Sequence, residues 1–392
     1  MMTTCLRRNP GLLVGATFAL LLPAIAHAED GVSTSSDGVT LTTAGGNFEL
    51  TLGGRLHYDG LSYDENGSNL TTSGFRRARL ELSGKIADRI RFRVDREFAG
   101  TDGWRNAWVS VRATDDLKIT AGNFIVPFAM EGSQSSNSIP LMERSIVTAL
   151  TPGFGVGVGA RYSQRHWTLA GGYFGNALND EYGRTAERGT GYSGRFTVAP
   201  INSRGNLVHF GAGVEDRAFS AGKVTRFQAD PGSNFAPTLL GTGGIADPKH
   251  LTNIGAEVAL SHGPLLFQSQ YVASTLTRNS NPTLNFDGWY AQAGWVVTGQ
   301  RYRYSRSSGV VSGVRLRPGH RAVEMVARYS ELDLNDGAFA HGVGRSMTLG
   351  ANWYLNENLR LMANYGLSSV KDVPGVPDRD ATLLAGRIQV NF

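Results

Sequence analysis

The sequence predicts an all-β fold, a closed antiparallel transmembrane β-barrel of about 16 strands, and three observations predict it. Apolar and polar residues alternate with period two over stretches of about ten residues through most of the chain, the pattern of a strand with one lipid face and one aqueous face. Glycine supplies 50 of 392 residues, about 13% against a usual ~7%, which argues against a helix-rich chain. Phe, Trp and Tyr (18, 6 and 13) stay plentiful while charged residues are only 18%, which argues against disorder. The glycines show no three-residue period, so the chain is not collagen-like.

The chain begins with Arg7 and Arg8, an uncharged apolar stretch over 11–22, Pro23 and the triplet Ala26-His27-Ala28. Basic start, short apolar core and A-x-A site are the order of a secretory signal, so 1–28 is expected to be cleaved. A run of about 12 apolar residues is too short for a bilayer core of ~30 Å. Removal takes away Cys5, Arg7 and Arg8, lowering the formal net charge from +5 to +3 and leaving no cysteine for a disulfide. Residues 29–46 read as a short periplasmic N-terminal segment and 47–392 as the barrel.

No transmembrane helix follows. The longest uncharged run, 258–277, contains Ser261-His262-Gly263-Pro264 and the pair Gln268 and Gln270, which would break or burden a membrane helix. They divide it into two alternating segments, as in a hairpin. Elsewhere Phe48, Leu50, Leu52, Leu56 and Tyr58 keep one parity against Glu49, Thr51, Arg55 and His57. Ile90, Phe92, Val94 and Phe98 interleave with Arg89, Arg91, Arg93, Asp95 and Glu97. Segments of this kind fall at 48–58, 74–84, 88–98, 104–113, 117–125, 156–163, 166–174, 191–199, 206–216, 251–261, 264–273, 287–298, 320–331, 345–354, 358–368 and 381–392. An even count is what single-chain outer-membrane barrels use, and about 16 strands leave an aqueous lumen.

Connector lengths alternate as a barrel requires. Short turns at 84–87, 114–116, 164–165, 262–263 and 355–357 are placed on the periplasmic side, and long connectors at 126–155, 175–190 and 217–250 outside. One short-turn slot departs from this: residues 299–319 form a long, basic connector, and structureless loops of that size are usually functional. A secreted β-sandwich or solenoid would also alternate, but the even spacing, the absence of cysteine and the terminal Phe392 on an alternating strand favour the membrane barrel.

Several stretches carry a family resemblance: Gly74-Phe75-Arg76-Arg77-Ala78-Arg79-Leu80, Met142-Glu143-Arg144-Ser145, Gly263-Pro264-Leu265 with Gln270-Tyr271-Val272, Gly288-Trp289-Tyr290, Val297-Thr298-Gly299, Glu324 with Ala327-Arg328-Tyr329-Ser330, Asn352-Trp353-Tyr354, and Gly386 to Phe392. In this order they make the chain resemble the phosphate-selective porins O and P over nearly all of the mature sequence. The resemblance implies a 16-stranded homotrimeric porin of a Gram-negative outer membrane. It also implies a narrow basic pathway, constricted by an extracellular loop and an infolded periplasmic turn, for inorganic phosphate or polyphosphate anions. Before Pro127-Phe128 the family typically places a lysine or another polar residue, whereas Ile125 and Val126 stand here. Positive charge is carried by 33 arginines against five lysines. The long turn holds Arg301, Arg303, Arg306, Arg315 and Arg317, of which Arg306 and Arg317 best match the family's constriction lysines. These departures bear more on tight phosphate specificity than on anion preference.

Parity supplies the candidate anion pathway. Arg55, Arg77, Arg79, Arg89, Arg91, Arg93, Arg328, Arg360 and Arg387 lie on the polar register, where a lumen-facing place avoids the ~2–4 kcal/mol cost of Arg at the lipid midplane. Arg suits oxyanions through its planar fork, and Asp95 and Glu97 on the same register would keep an anion from sticking. The alternative is ordinary lumen charge balanced by those acids, without selectivity. Arg217, Lys223, Arg226 and Lys249 read equally as an attracting funnel or as solvated loop charge meeting outer-membrane lipid. Arg76, Arg96 and Arg105 fall off the polar parity and are expected to snorkel to headgroups.

Enzyme motifs are absent. His57, His166, His209, His250, His262, His320 and His341 form no H-E-x-x-H, no G-x-S-x-G occurs, and the glycines of 153–159 lack a following Lys-Ser/Thr and read as a barrel bend. No cofactor is implied, and arginines spread over many strands do not form a nucleic-acid patch. Three readings stand: a phosphate-type anion channel, a broad diffusion porin, and a plugged structural or enzymatic barrel.

Overall fold

The computed structural model describes residues 31–392 apart from 44, 101–102, 179–188 and 204, so the predicted signal at 1–28 lies outside the described residues. Sixteen strands form the barrel: β1 Phe48–Glu65, β2 Ser68–Ile86, β3 Ile90–Glu97, β4 Gly103–Arg112, β5 Leu117–Ile125, β6 Phe154–Ser163, β7 Trp167–Phe174 and β8 Thr190–Ser203. They continue as β9 Asn206–Ala218, β10 Pro248–His262, β11 Leu265–Arg278, β12 Leu284–Val296, β13 Ala322–Asp336, β14 Phe339–Tyr354, β15 Leu359–Lys371 and β16 Arg379–Asn391. Each pairs antiparallel with the next, and β16 returns to β1 with Ala381 opposite Glu65 and Asn391 opposite Arg55. Closure removes the exposed edges that an open sheet would present. A hairpin of Gly31–Ser35 and Gly38–Thr42 extends the sheet at the foot of β1, with Val39 opposite Leu52.

The period-two pattern resolves into an inside and an outside. In β16, Leu383, Ala385, Arg387 and Gln389 are at most 4% exposed, whereas Leu384 and Ile388 are 59% and 52% exposed. Val109, Ile119, Val158, Leu169, Phe210 and Trp295 are likewise exposed. In water this band would be an aggregation liability, and in a bilayer it is the lipid face. Among the described residues no helix is long and apolar enough to cross a membrane.

Tight turns join β2 to β3, β4 to β5, β6 to β7, β8 to β9, β10 to β11 and β14 to β15 on one rim. The other rim carries the long connectors 126–153, 175–189 and 219–247, along with short ones such as 66–67 and 337–338. The exception on the turn rim is 297–321, which folds back as a hairpin of Tyr302–Ser305 and Val310–Val314.

Two loops and this turn fill one side of the lumen. Phe128, Ile146, Leu150, Phe227, Leu240 and Ile245 pack against Leu276, Phe286, Tyr290 and Leu332 of the wall. Glycine makes the docking possible: Gly213 and Gly255 are paired across β9 and β10, and a Cβ on Gly213 would overlap the Phe128 carbonyl. The opposite wall, β2 to β7, is left polar and open.

Candidate functional site

On the open wall the lumen-facing positions of β1, β2 and β3 carry Arg55, Arg77, Arg79, Arg93, Asp95 and Glu97. Arg55 lies directly opposite Arg79, a like-charge pairing that costs free energy unless acids intervene. They do. Arg55 and Arg93 share Glu81 at 3.0 and 2.6 Å, Arg93 also reaches Asp95 at 2.9 Å, and Arg79 reaches Glu97 at 3.1 Å. Asp95 additionally accepts from the Asn106 amide N–H and side chain.

The loop between β5 and β6 is held in the lumen by the wall. Glu143 accepts from Arg76 at 2.8 and 3.0 Å, from Arg77 at 3.5 Å and from Arg387 at 2.8 Å. Burial opposes ionisation of Glu143, but Arg76, Arg77 and Arg387 outweigh it and hold the carboxyl well below the ordinary range. Arg328 pairs with Glu131 at 3.2 Å, and Arg360 and Arg387 donate to the carbonyls of Ile139 and Met142.

The infolded turn meets the same loop. Arg195 donates to the carbonyls of Ser308 and Gly309 at 2.8 and 2.6 Å and pairs with Glu257. Glu257 also accepts the Met130 amide at 2.6 Å, and Gln134 donates to the Val311 carbonyl at 2.9 Å. His209 bridges Glu257 and Tyr304. In the turn itself, burial pushes the Tyr304 hydroxyl up to about 12.

Between loop and wall lies a cavity of about 440 Å³ lined by Arg55, Arg76, Arg77, Arg79, Arg93, Arg105 and Arg144, with Glu97 as the acid among its lining. Arg55, Arg76, Arg77, Arg79 and Arg93 share four carboxylates, Glu81, Asp95, Glu97 and Glu143. Arg144 donates to the backbone carbonyls of Glu131 and Gln134. A second cavity of about 320 Å³ shares Arg93, Asn106, Ile125 and Ser133 with the first and continues toward the turn rim past Lys118 and Arg161. Together they form a basic passage that an anion can follow from one set of donors to the next. Among the described residues no group of His, Cys, Asp or Glu has the geometry of a metal site.

Of the residues singled out from sequence, Arg55, Arg77, Arg79 and Arg93 line this passage, and Asp95 is buried behind it. Arg328 of β13, Arg360 of β15 and Arg387 of β16 anchor the loop. Arg89, Arg91, Arg303, Arg306, Arg315 and Arg317 are exposed toward the turn rim and line neither cavity.

Four expectations are corrected. Arg76 faces inward to Glu143, because a register shift between His57 and Tyr58 moves its strand off strict parity. Arg105 lines the cavity rather than reaching for headgroups. Arg217 belongs to β9 and is buried against Glu215. Val126 is 2% exposed beside Gly155, so the apolar residue that adjoins both cavities is Ile125. Arg96 sits over the rings of Trp104 and Phe98 at 5.4 and 5.8 Å.

Lys118, Glu131, Glu143, Arg144, Arg161 and Arg195 were given no role from sequence. Lys118 and Arg161 stand on the lumen parity of β5 and β6 and could have been found by extending that rule. The loop residues carry no periodic signal.

A closed 16-stranded barrel with an apolar outer band, a polar lumen and an infolded constriction loop defines an outer-membrane porin, a channel rather than an enzyme. The chain belongs to the family described as phosphate-selective porin O and P, whose model matches residues 50–392. It is 24% identical to Porin O of Pseudomonas aeruginosa over 419 residues, covering 92% of this chain and 93% of that protein. Its fold is similar to the outer membrane channel DcaP of Acinetobacter baumannii, with TM-score 0.59 at 10% identity, covering 89% of this chain and 99% of that one. It is also similar to an anion-selective porin from Comamonas acidovorans, with TM-score 0.52 at 13% identity, covering 88% and 100%.

Proposed function

We propose that this porin is an anion-preferring channel whose solutes are small oxyanions of the phosphate class, working as a homotrimer in outer-membrane lipid. The observation that carries the reading is the lining of the first cavity, where seven guanidinium groups face the passage beside one acid, Glu97. Guanidinium forks can replace the hydration shell of phosphate bidentately. Because five of the seven already share Glu81, Asp95, Glu97 and Glu143, a passing anion competes with resident carboxylates and is released readily, as conduction requires. The family's phosphate-selective description fits this chemistry. The test is a titration of phosphate against single-channel chloride current: phosphate should block at concentrations where sulfate or nitrate does so less, and equal block by all three would leave only a general diffusion pore.

A further inference from the structure

The second cavity differs from the first in a way that points to a different ligand. Lys118 and Arg161 are direct cross-strand partners of β5 and β6, a like-charge pairing that is unfavourable without an intervening anion. No carboxylate is among the described residues lining the cavity. Arg161 has no hydrogen-bond or ion-pair partner among the described residues. Among the described residues Lys118 has no hydrogen-bond or ion-pair partner, and its Nζ stands 5.1 Å from the centre of the Trp108 ring. Glu81 and Asp95, the acids that meet the third cation of the lining, Arg93, are also engaged by Arg55 and Arg79.

Apolar surface completes the site. Trp108 and Phe124 both line it, Trp108 fixed by its indole N–H donating to Asn106 at 3.1 Å and Phe124 by an edge contact with Phe174 at 5.3 Å. About 320 Å³ is at the small end of organic-ligand pockets, roughly 300–1,000 Å³. It holds more than a bare tetrahedral oxyanion. Pro127 of the loop and Ser308 of the turn bound it as well, so it lies past the loop constriction on the turn side.

We infer that this cavity is a second subsite, distinct from the arginine-lined one, for an aromatic carboxylate whose carboxylate bridges Lys118 and Arg161 and whose ring rests on Trp108 and Phe124. The inference rests on the open anion channel proposed above and deepens it by naming an organic solute class.

The test uses the full-length protein in planar bilayers, with chloride current blocked by benzoate, acetate or inorganic phosphate added to both sides. Benzoate should reach half-block at a concentration at least roughly tenfold below that of acetate. In the double variant Lys118→Gln and Arg161→Gln, benzoate block should weaken by a similar factor and phosphate block by a clearly smaller one, since the seven arginines of the first cavity remain. If that variant does not assemble, Trp108→Leu gives the same reading, with benzoate block weakened and acetate block retained. Benzoate no tighter than acetate, or benzoate block that survives the double variant, overturns the subsite. Equal loss of phosphate block overturns its distinctness from the first cavity. Failure of the anion-channel reading itself shows separately, as a cation-selective reversal potential.

Discussion

Arg387 donates to Glu143 at 2.8 Å, so the strand that closes the barrel also holds the loop that narrows it. The same guanidinium grips Asp59 of β1 at 2.6 Å. Barrel closure and pore width therefore share one buried ion cluster.

Removing the loop's anion should loosen the pore. Glu143→Gln leaves Arg76, Arg77 and Arg387 facing one another without their shared carboxylate, a change that costs about 3–5 kcal/mol when a buried pair is broken. The expected outcome is a larger single-channel conductance together with earlier thermal unfolding of the barrel. Unchanged conductance would mean that the apolar contacts of Phe128 and Ile146 hold the loop alone.

The same cluster sets a pH range. The native Glu143 carboxyl lies well below its ordinary value of 4.5. A depressed native pKa contributes stability that is fully present above the ordinary value and is lost as pH falls through the native one. Conductance and heat stability should therefore hold from about pH 7 to about pH 5 and fall only below the ordinary carboxylate range. A conductance step already at pH 5 would contradict the pairing.

Ile125 adjoins both cavities and is an apolar residue among their cationic lining. A unit charge at ~4 Å contributes about 4 kcal/mol at an effective dielectric near 20, before desolvation takes most of it back. Ile125→Lys should tighten phosphate block by on the order of tenfold, about 1.4 kcal/mol. Val126→Lys should instead impair assembly, because Val126 is 2% exposed and a buried lone ammonium is costly. Phosphate titrations and heat stability of the two variants separate the outcomes.

The turn arginines stand apart from both cavities. Arg306 and Arg317 are exposed and line neither cavity, so in the proposed anion channel their field would steer anions rather than bind them. Replacing both by Ala should lower the anion preference modestly, most visibly at low salt where screening is weak, and leave assembly intact. An effect of equal size in concentrated salt would mean direct contact with the solute.

All 16 strands were legible because lipid outside and water inside impose strict alternation, and each of the 16 segments read from sequence corresponds to one strand. Their lengths were less legible. β1 and β2 run to 18 and 19 residues, well past the bilayer-facing stretch, and outside lipid the alternation is no longer enforced. At the site, Arg55, Arg77, Arg79 and Arg93 followed from parity alone. Arg76 did not, because one register shift reverses the facing of its neighbours. Glu143 and Arg144 stood out only as part of the Met142–Ser145 stretch, and their role, like that of Glu131, could not be read, since an infolded loop is positioned by partners far away in sequence, such as Arg328 and Arg387.

An anion-preferring lumen declares itself in the zero-current potential. Purified protein in a planar bilayer separating two potassium chloride concentrations should give a reversal potential of the anion-selective sign, carried by the lumen arginines rather than by the small net charge. A potential of the cation-selective sign would show that the lumen arginines do not set the selectivity of this pore.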